Sequence, residues 1–196
     1  MAEKCKTIGL LMGSFNPVHL GHLIIAQSVI NELLVDEIWF VVSPHNPFKN
    51  ADDLADENHR LEMVKLGIEN NTKFKATDIE FSLPKPNYSY ITIQKLIEEN
   101  PNYNFRLIIG GDNFNNFHLW NEYEYLLNNC PPIVYPRFGI ELNPQIDVEK
   151  THILNPPLLD ISSTLIREYL NKGLSIKYLV SETVEEYIKE KELFRK

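Results

Sequence analysis

Two histidines near the amino terminus lie in a segment whose residue types suit phosphate chemistry. The segment over 13–22 is GSFNPVHLGH, after an apolar stretch typical of a buried strand and before one typical of a helix. The free N–H groups at a helix start carry partial positive charge and can bind an anion. His19 and His22 lie three residues apart, so both imidazoles can face one site. Such a pair would stabilise charge developing on a phosphoryl group, although two ordinary surface histidines remain the alternative interpretation.

A second segment, rich in hydroxyl groups, lies near the carboxyl terminus and is DISSTLIR over 160–167. Hydroxyl side chains at a helix start can cap the helix, which alone would explain them. They can also bind phosphate, together with the planar guanidinium of Arg167 one turn further along. The residue types alone leave both interpretations open. The histidines lack third and fourth ligands at a suitable spacing, so we predict no metal bound by the protein itself.

Segments typical of strands and helices alternate around these two motifs. Strands are predicted over 7–12, 38–42, 105–109, 133–135 and 152–154, and 74–81 is a strand or edge strand. Helices are predicted over 20–34, 58–68, 90–99, 162–171 and 183–193, the last with Thr183 as cap and Glu186 completing a capping box. This alternation predicts an α/β fold with a parallel sheet and helices on both faces. Ligands bind such sheets beyond the carboxyl ends of the strands.

Length and charge limit the partners of the chain. It has 196 residues, which fits a single domain over 1–196. Lys and Arg total 19 against 27 Asp and Glu, a net charge of -8. A protein that binds a nucleic-acid backbone normally has a basic excess, so we expect no nucleic-acid partner. No apolar run reaches the about 20 residues of a membrane span. The first residues lack the apolar stretch of a secretory signal, so we expect none. We therefore expect no membrane association and a cytoplasmic location.

Taken together, the two motifs resemble those of the nucleotidyltransferase superfamily, whose members transfer a nucleoside monophosphate from a triphosphate on a Rossmann-like fold. The patterns G-[ST]-F-x-P-x-H-x-G-H and I-S-S-T-x-I-R carry this resemblance, which extends from about Thr7 to Leu170. Within the superfamily, the chain is most similar to the bacterial nicotinate-nucleotide adenylyltransferases. The resemblance implies a Rossmann-like parallel sheet on which the carboxyl-terminal helices pack.

Shorter segments between the motifs select this family. SPHNPFK over 43–49 resembles its Pro/His/Lys loop, RLEM over 60–63 its structural Arg-x-x-Met helix, and YSYIT over 88–92 its Tyr-Thr-x-x-Thr segment. GGD over 110–112 matches Gly-x-Asp, and Trp120 resembles a tryptophan that stacks on the pyridine ring. Asn16 departs from the commoner aspartate and Ser89 from threonine, but neither change removes a histidine that contacts phosphate.

The resemblance implies a role for each matched residue. ATP would be bound by Gly13, Ser14, Phe15, His22, Gly110, Asp112, Ile161, Ser162, Ser163 and Arg167. Nicotinate mononucleotide would be bound by Asn16, His19, Lys49, Ser89, Thr92, Trp120 and Arg137. The charge that develops on the transferred phosphoryl group would be stabilised by His19, His22, Lys49 and Arg167.

The implied reaction joins nicotinate mononucleotide to ATP and yields nicotinate adenine dinucleotide and pyrophosphate, a step of NAD biosynthesis. The 5′-phosphate of the mononucleotide is already anionic, so catalysis requires alignment and charge neutralisation rather than a general base. Mg²⁺ would accompany ATP, bound mostly by phosphate and water. Several alternatives stay open. The acceptor could be nicotinamide mononucleotide, the enzyme could be a pantetheine-phosphate adenylyltransferase or a cytidylyltransferase, or the chain could be a non-catalytic nucleotide sensor. A homo-oligomer is also left open.

Overall fold

The computed structural model describes residues 5–44, 54–143 and 149–194. The strands are β1 (Lys6–Gly13), β2 (Glu37–Val42), β3 (Phe74–Thr77), β4 (Tyr103–Gly110), β5 (Pro132–Tyr135) and β6 (His152–Ile153). The α-helices are α1 (Leu20–Asn31), α2 (Glu57–Ile68), α3 (Ser89–Glu99), α4 (Gly111–Asn115), α5 (Tyr123–Asn129), α6 (Ser163–Asn171) and α7 (Glu182–Glu190). The strands form one sheet in the order β3-β2-β1-β4-β5-β6, and every adjacent pair is parallel.

Alternate residues of the strands face two separate apolar cores. Leu11 and Ile108 pack with α1, α2, α6 and α7 on one face of the sheet. Their neighbours Leu10 and Leu107 pack with α3, α4 and α5 on the other face. Because successive side chains of a strand point to opposite faces, a sheet covered on both sides needs strands that are apolar throughout. The predicted Rossmann-like α/β fold, with the carboxyl-terminal helices packed on the sheet, is confirmed.

The strand order reverses at β1, which lies between β2 and β4. The chain passes from β1 to β2 on one side and later returns to β4 on the other side. A crevice therefore opens beyond the carboxyl ends of β1 and β4, as in other open α/β sheets. Gly13 ends β1 and Gly110 ends β4, so both predicted glycines lie at this crevice.

Three local predictions differ from the structure. The stretch predicted as a strand over 74–81 is an edge strand only as far as Thr77, and a 3-10 helix follows at Ile79–Ser82. The helices α4 and α5 are absent from the prediction because they are short. Ser181, rather than Thr183, caps α7: its Oγ accepts from the N–H of Val184 at 3.4 Å. No helix within the described ranges is long and apolar enough to cross a membrane.

Candidate active site

The predicted histidine pair meets at the start of α1. His19 is the residue that precedes the helix, and its backbone is extended. The ring centroids of His19 and His22 lie 3.7 Å apart, and the ring planes are tilted by 31°. Nδ1 of His22 accepts a hydrogen bond from the backbone N–H of His19 at 3.2 Å. An accepting Nδ1 is unprotonated, so the proton of a neutral His22 ring lies on Nε2.

His19 is almost fully buried, with 7% of its surface exposed. Burial, followed by the positive charge of Arg137, lowers the pKa of His19 from 6.5 to about 4. The unliganded His19 ring is therefore neutral at pH 7. A neutral imidazole can donate one hydrogen bond to a phosphate oxygen, but it supplies no standing positive charge.

The absence of a side chain at Gly21 leaves room for the His19 ring against the backbone of α1. A Cβ atom at position 21 would lie 3.0 Å from both Cε1 and Nδ1 of His19. The carbonyl oxygen of Ile161 would lie 3.7 Å from the same Cβ. The absent side chain thus permits the ring packing and brings the second motif close to the first.

The second motif caps its own helix and also binds the backbone of the first motif. Oγ of Ser162 accepts from the N–H of Leu165 at 3.1 Å at the start of α6. Ser163 Oγ donates to the carbonyl of Pro17 at 2.9 Å, and Arg167 Nη1 donates to the carbonyl of Asn16 at 2.9 Å. The capping interpretation holds for Ser162. The phosphate contacts of Ser163 and Arg167 stay predictions.

The loop between β1 and α1 is packed under the histidines. Phe15 has a left-handed backbone, with φ 45°, and its ring lies edge-on to His22 with centroids 5.1 Å apart. The same ring would lie 3.3 Å from a Cβ on Gly13. Oδ1 of Asn16 accepts from the N–H of Ala55 at 3.0 Å. Asn16 and Phe15 are both buried, so their contacts hold the loop in place.

A third part of the site lies beyond β4 and β5. Asp112 and Arg137 form an ion pair, with 3.3 Å between Oδ1 and Nε. A Cβ on Gly110 would lie 2.5 Å from that carboxylate oxygen and 2.9 Å from that guanidinium nitrogen, so a side chain at position 110 would displace the ion pair. Arg137 Nη2 also donates to the hydroxyl of Tyr135 at 3.1 Å. Sequence reasoning missed Tyr135, which shows no motif of its own.

All three parts line one cavity of about 500 Å³. Predicted residues in its lining are His19, His22, Asp112, Arg137, Ile161, Ser162 and Ser163. The structure therefore brings both motifs to one place, as the sequence predicted. Lys49 lies outside the described residues.

The residues predicted for the nicotinate ring do not line this cavity. Ser89 begins α3, and Trp120 is half-buried against Phe117, with ring centroids 5.3 Å apart. Thr92 is fully buried and donates to Oε1 of Glu80 at 2.9 Å. Burial raises the pKa of Glu80. In this structure Thr92 supports its segment from within, and its contact with a ligand stays a prediction.

The fold and the cavity define a class of enzyme. The structure has a parallel sheet with two histidines at a helix start over the switch point of the sheet, and a helix capped by serine faces them. The resemblance to nucleotidyltransferases implies this arrangement. The family model described as cytidylyltransferase-like matches residues 10–169. The chain is therefore a nucleotidyltransferase of this class.

Comparison with individual proteins narrows the class. The chain is 44% identical over 192 residues to the probable nicotinate-nucleotide adenylyltransferase of Flavobacterium johnsoniae, covering 96% of this chain and 99% of the relative. It is 43% identical to that of Flavobacterium psychrophilum, with the same coverage of both chains. Its structure is similar to Plasmodium falciparum nicotinic acid mononucleotide adenylyltransferase complexed with NaAD: the TM-score is 0.79 and the identity 26%, over 96% of this chain and 97% of the other. The chain belongs to the nicotinate-nucleotide adenylyltransferase family.

Proposed function

We propose that this chain transfers the adenylyl group of ATP to nicotinate mononucleotide, forming nicotinate adenine dinucleotide and pyrophosphate in NAD biosynthesis. The observation that carries the proposal is the cavity of about 500 Å³ lined by the histidine pair and by the start of α6. Two helix starts directed at one cavity suit two phosphate-bearing substrates. The Plasmodium falciparum relative is complexed with NaAD, the dinucleotide that this reaction would form.

The chemistry that these residues support is alignment and charge stabilisation. The phosphate nucleophile is already anionic, so the reaction needs donors placed where charge develops. His19 would donate one N–H as a neutral ring, and His22 would donate from Nε2. Ser162, Ser163 and the N–H groups at the start of α6 would bind the ATP phosphates, with Asp112 at the ribose.

The mononucleotide would lie between this phosphate site and the segment that begins α3. Trp120 would stack on the pyridine ring, and Ser89 would bind the nicotinate carboxylate. Arg137 would add a positive charge near the mononucleotide, because it lines the cavity with His19 and its charge lowers the pKa of His19. The roles of Asn16, Lys49 and Thr92 in this half of the site stay predictions.

A divalent metal, Mg²⁺, would accompany ATP and neutralise part of the charge on the leaving pyrophosphate. Within 5–44, 54–143 and 149–194, no group of three His, Cys, Asp or Glu side chains could hold a metal ion. The carboxylate of Asp112 is already paired with Arg137. This donor set fits an ion bound mainly by phosphate and water. The cytoplasmic location, the single domain and the lack of a nucleic-acid partner stay predictions from the sequence, and a homo-oligomer stays open.

The test is a product assay with two acceptors. The purified chain is incubated with ATP and Mg²⁺ and with nicotinate or nicotinamide mononucleotide, and the products are separated by chromatography. We expect rapid formation of the dinucleotide from the nicotinate form and slow formation from the amide. CTP in place of ATP tests the cytidylyltransferase alternative, and phosphopantetheine tests the other adenylyl acceptor. A folded protein that forms no dinucleotide from either mononucleotide would contradict the proposal.

Substitution of Trp120 tests the nicotinate side of the site. Because stacking of an aromatic side chain on a base contributes about 1–3 kcal/mol, we expect Trp120→Leu to raise the KM for nicotinate mononucleotide roughly 10-fold. The KM for ATP should change little. Trp120→Phe keeps an aromatic face and serves as the matched variant, with a smaller rise. Steady-state rates with each substrate varied in turn give both constants, and a rise confined to ATP would show that the pocket is misassigned.

A further inference from the structure

One buried arginine binds the backbone of several loops at the same time. Arg60 lies in α2 and is 1% exposed. Its Nη1 donates to the carbonyls of Ser14 at 2.7 Å and Ser43 at 2.6 Å. Its Nη2 donates to the carbonyl of Pro44 at 2.8 Å, and its Nε to that of Ala55 at 2.9 Å. The side chain therefore donates four hydrogen bonds to main-chain carbonyls.

Three of these four carbonyls lie just beyond the carboxyl ends of two adjacent strands. Ser14 follows β1, and Ser43 and Pro44 follow β2. A single nitrogen of Arg60 bridges the two loops, next to the bond from Ser43 N–H to the carbonyl of Gly13 at 2.9 Å. Arg60 thus fixes the spacing between the carboxyl ends of β1 and β2, and β1 also borders the ligand crevice between β1 and β4.

Packing alone does not explain a guanidinium in this position. A buried cation is costly unless it is well compensated. Within the described part of the chain, the hydrogen bonds of Arg60 all go to carbonyls rather than to a carboxylate. Burial lowers the pKa of its guanidinium, and only the nearby charges of Glu57 and Asp56 raise it. An apolar side chain would fill the space without this cost. The guanidinium is therefore explained by the carbonyls around it, which need several donors in a fixed planar arrangement.

The contact between Arg60 and Ser14 lies one residue away from the ring that packs against one of the two histidines. Ser14 precedes Phe15, whose ring lies against His22. Further along the same loop, Arg167 binds the carbonyl of Asn16 and Ser163 binds that of Pro17. Side chains from α2 and α6 therefore bind three carbonyls among four consecutive residues of this loop. Arg60 supplies the contact from α2.

We propose that Arg60 is a positioning residue for adenylyl transfer, which fixes the loop after β1 and thereby the geometry of the His19–His22 pair. The proposal rests on the proposed function for its kinetic effect. A displacement of reacting groups by about 1 Å can cost on the order of 100-fold in rate. We therefore expect Arg60→Met to lower kcat roughly 100-fold, with a much smaller change in the KM of either substrate.

Arg106 supplies a matched control. It is also a partly buried arginine that donates to two carbonyls, those of Pro131 at 2.9 Å and Pro132 at 3.2 Å. These bonds lie where β5 begins, at the opposite edge of the sheet from the crevice. Arg106→Met should lose stability as Arg60→Met does, but it should keep kcat within about 3-fold of wild type. Thermal melting of both variants accompanies the kinetics.

A second measurement is independent of activity. Nitrogen-15 NMR of the histidine rings reports whether Nδ1 of His22 still accepts from His19 N–H, and we expect this signal to shift in Arg60→Met but not in Arg106→Met. If the wild-type chain forms no dinucleotide, the proposed function fails, and the NMR comparison still decides the positioning role. If Arg60→Met does not fold, Arg60→Lys replaces it. A single ammonium cannot bind all four carbonyls, so we expect at least a 10-fold loss in kcat. A folded Arg60 variant with wild-type kcat and unshifted histidine signals would overturn the proposal.

Discussion

His19→Ala should lower kcat by roughly 100- to 1,000-fold while leaving the chain folded, the loss typical when one preorganised donor to a developing oxyanion is removed. The ring sits at the start of α1, in contact with His22, and lines the same cavity as the start of α6. Alanine removes the N–H donor and leaves the helix and sheet in place. Steady-state turnover at saturating ATP and nicotinate mononucleotide, beside a thermal melt, measures the effect.

His152→Ala is the control for His19→Ala. The His152 ring lies on the edge strand β6 and pairs with Glu32, with Nε2 and Oε2 2.7 Å apart. This variant also loses an imidazole and a polar contact, but outside the cavity lining, so we expect nearly wild-type turnover. If the folded His19→Ala protein turned over almost normally, the assignment of His19 to the phosphoryl group would be wrong. If both variants lost activity equally, the loss would reflect folding rather than chemistry.

The sequence predicts what depends on local pattern. Apolar runs predict the buried strands, and the reversal of strand order at β1 places Gly13 and Gly110 at one crevice. The three-residue spacing of His19 and His22 predicts that they share a helix face, because that geometry is a property of any helix. The cap formed by Ser162 follows from the same kind of local rule.

What the sequence does not show depends on contacts between distant residues. Arg60 binds the carbonyl of Ser14, 46 residues away, and a helical arginine is ordinarily expected at the surface. The resemblance marks its helix as structural, yet no residue pattern shows the four carbonyl partners. The resemblance implies a ligand contact for Thr92, but no residue pattern shows its buried hydrogen bond to Glu80. The 3-10 helix that follows β3 carries Glu80 to that position.

The burial of His19 is another non-local effect, and it has a measurable consequence for stability. Its pKa is 6.5 in an exposed histidine and about 4 in the folded chain. As the pH falls, the unfolded chain therefore takes up the proton first. The stability that comes from burying a neutral ring is fully present above pH 6.5 and is lost as the pH falls towards 4. A difference of this size corresponds to about 3 kcal/mol in the free energy of unfolding.

His19→Gln isolates this contribution, because glutamine retains a polar side chain but does not titrate. Urea unfolding of both proteins at pH 7.5 and pH 4.5 gives four free energies, and titrations shared by the two proteins cancel in the comparison. We expect the wild type to lose about 2–3 kcal/mol more than His19→Gln between the two pH values. An equal loss would mean that His19 keeps its ordinary pKa in the folded chain. His19 would then carry part of the positive charge at mildly acidic pH, and its role at the phosphoryl group would be electrostatic rather than that of a neutral donor.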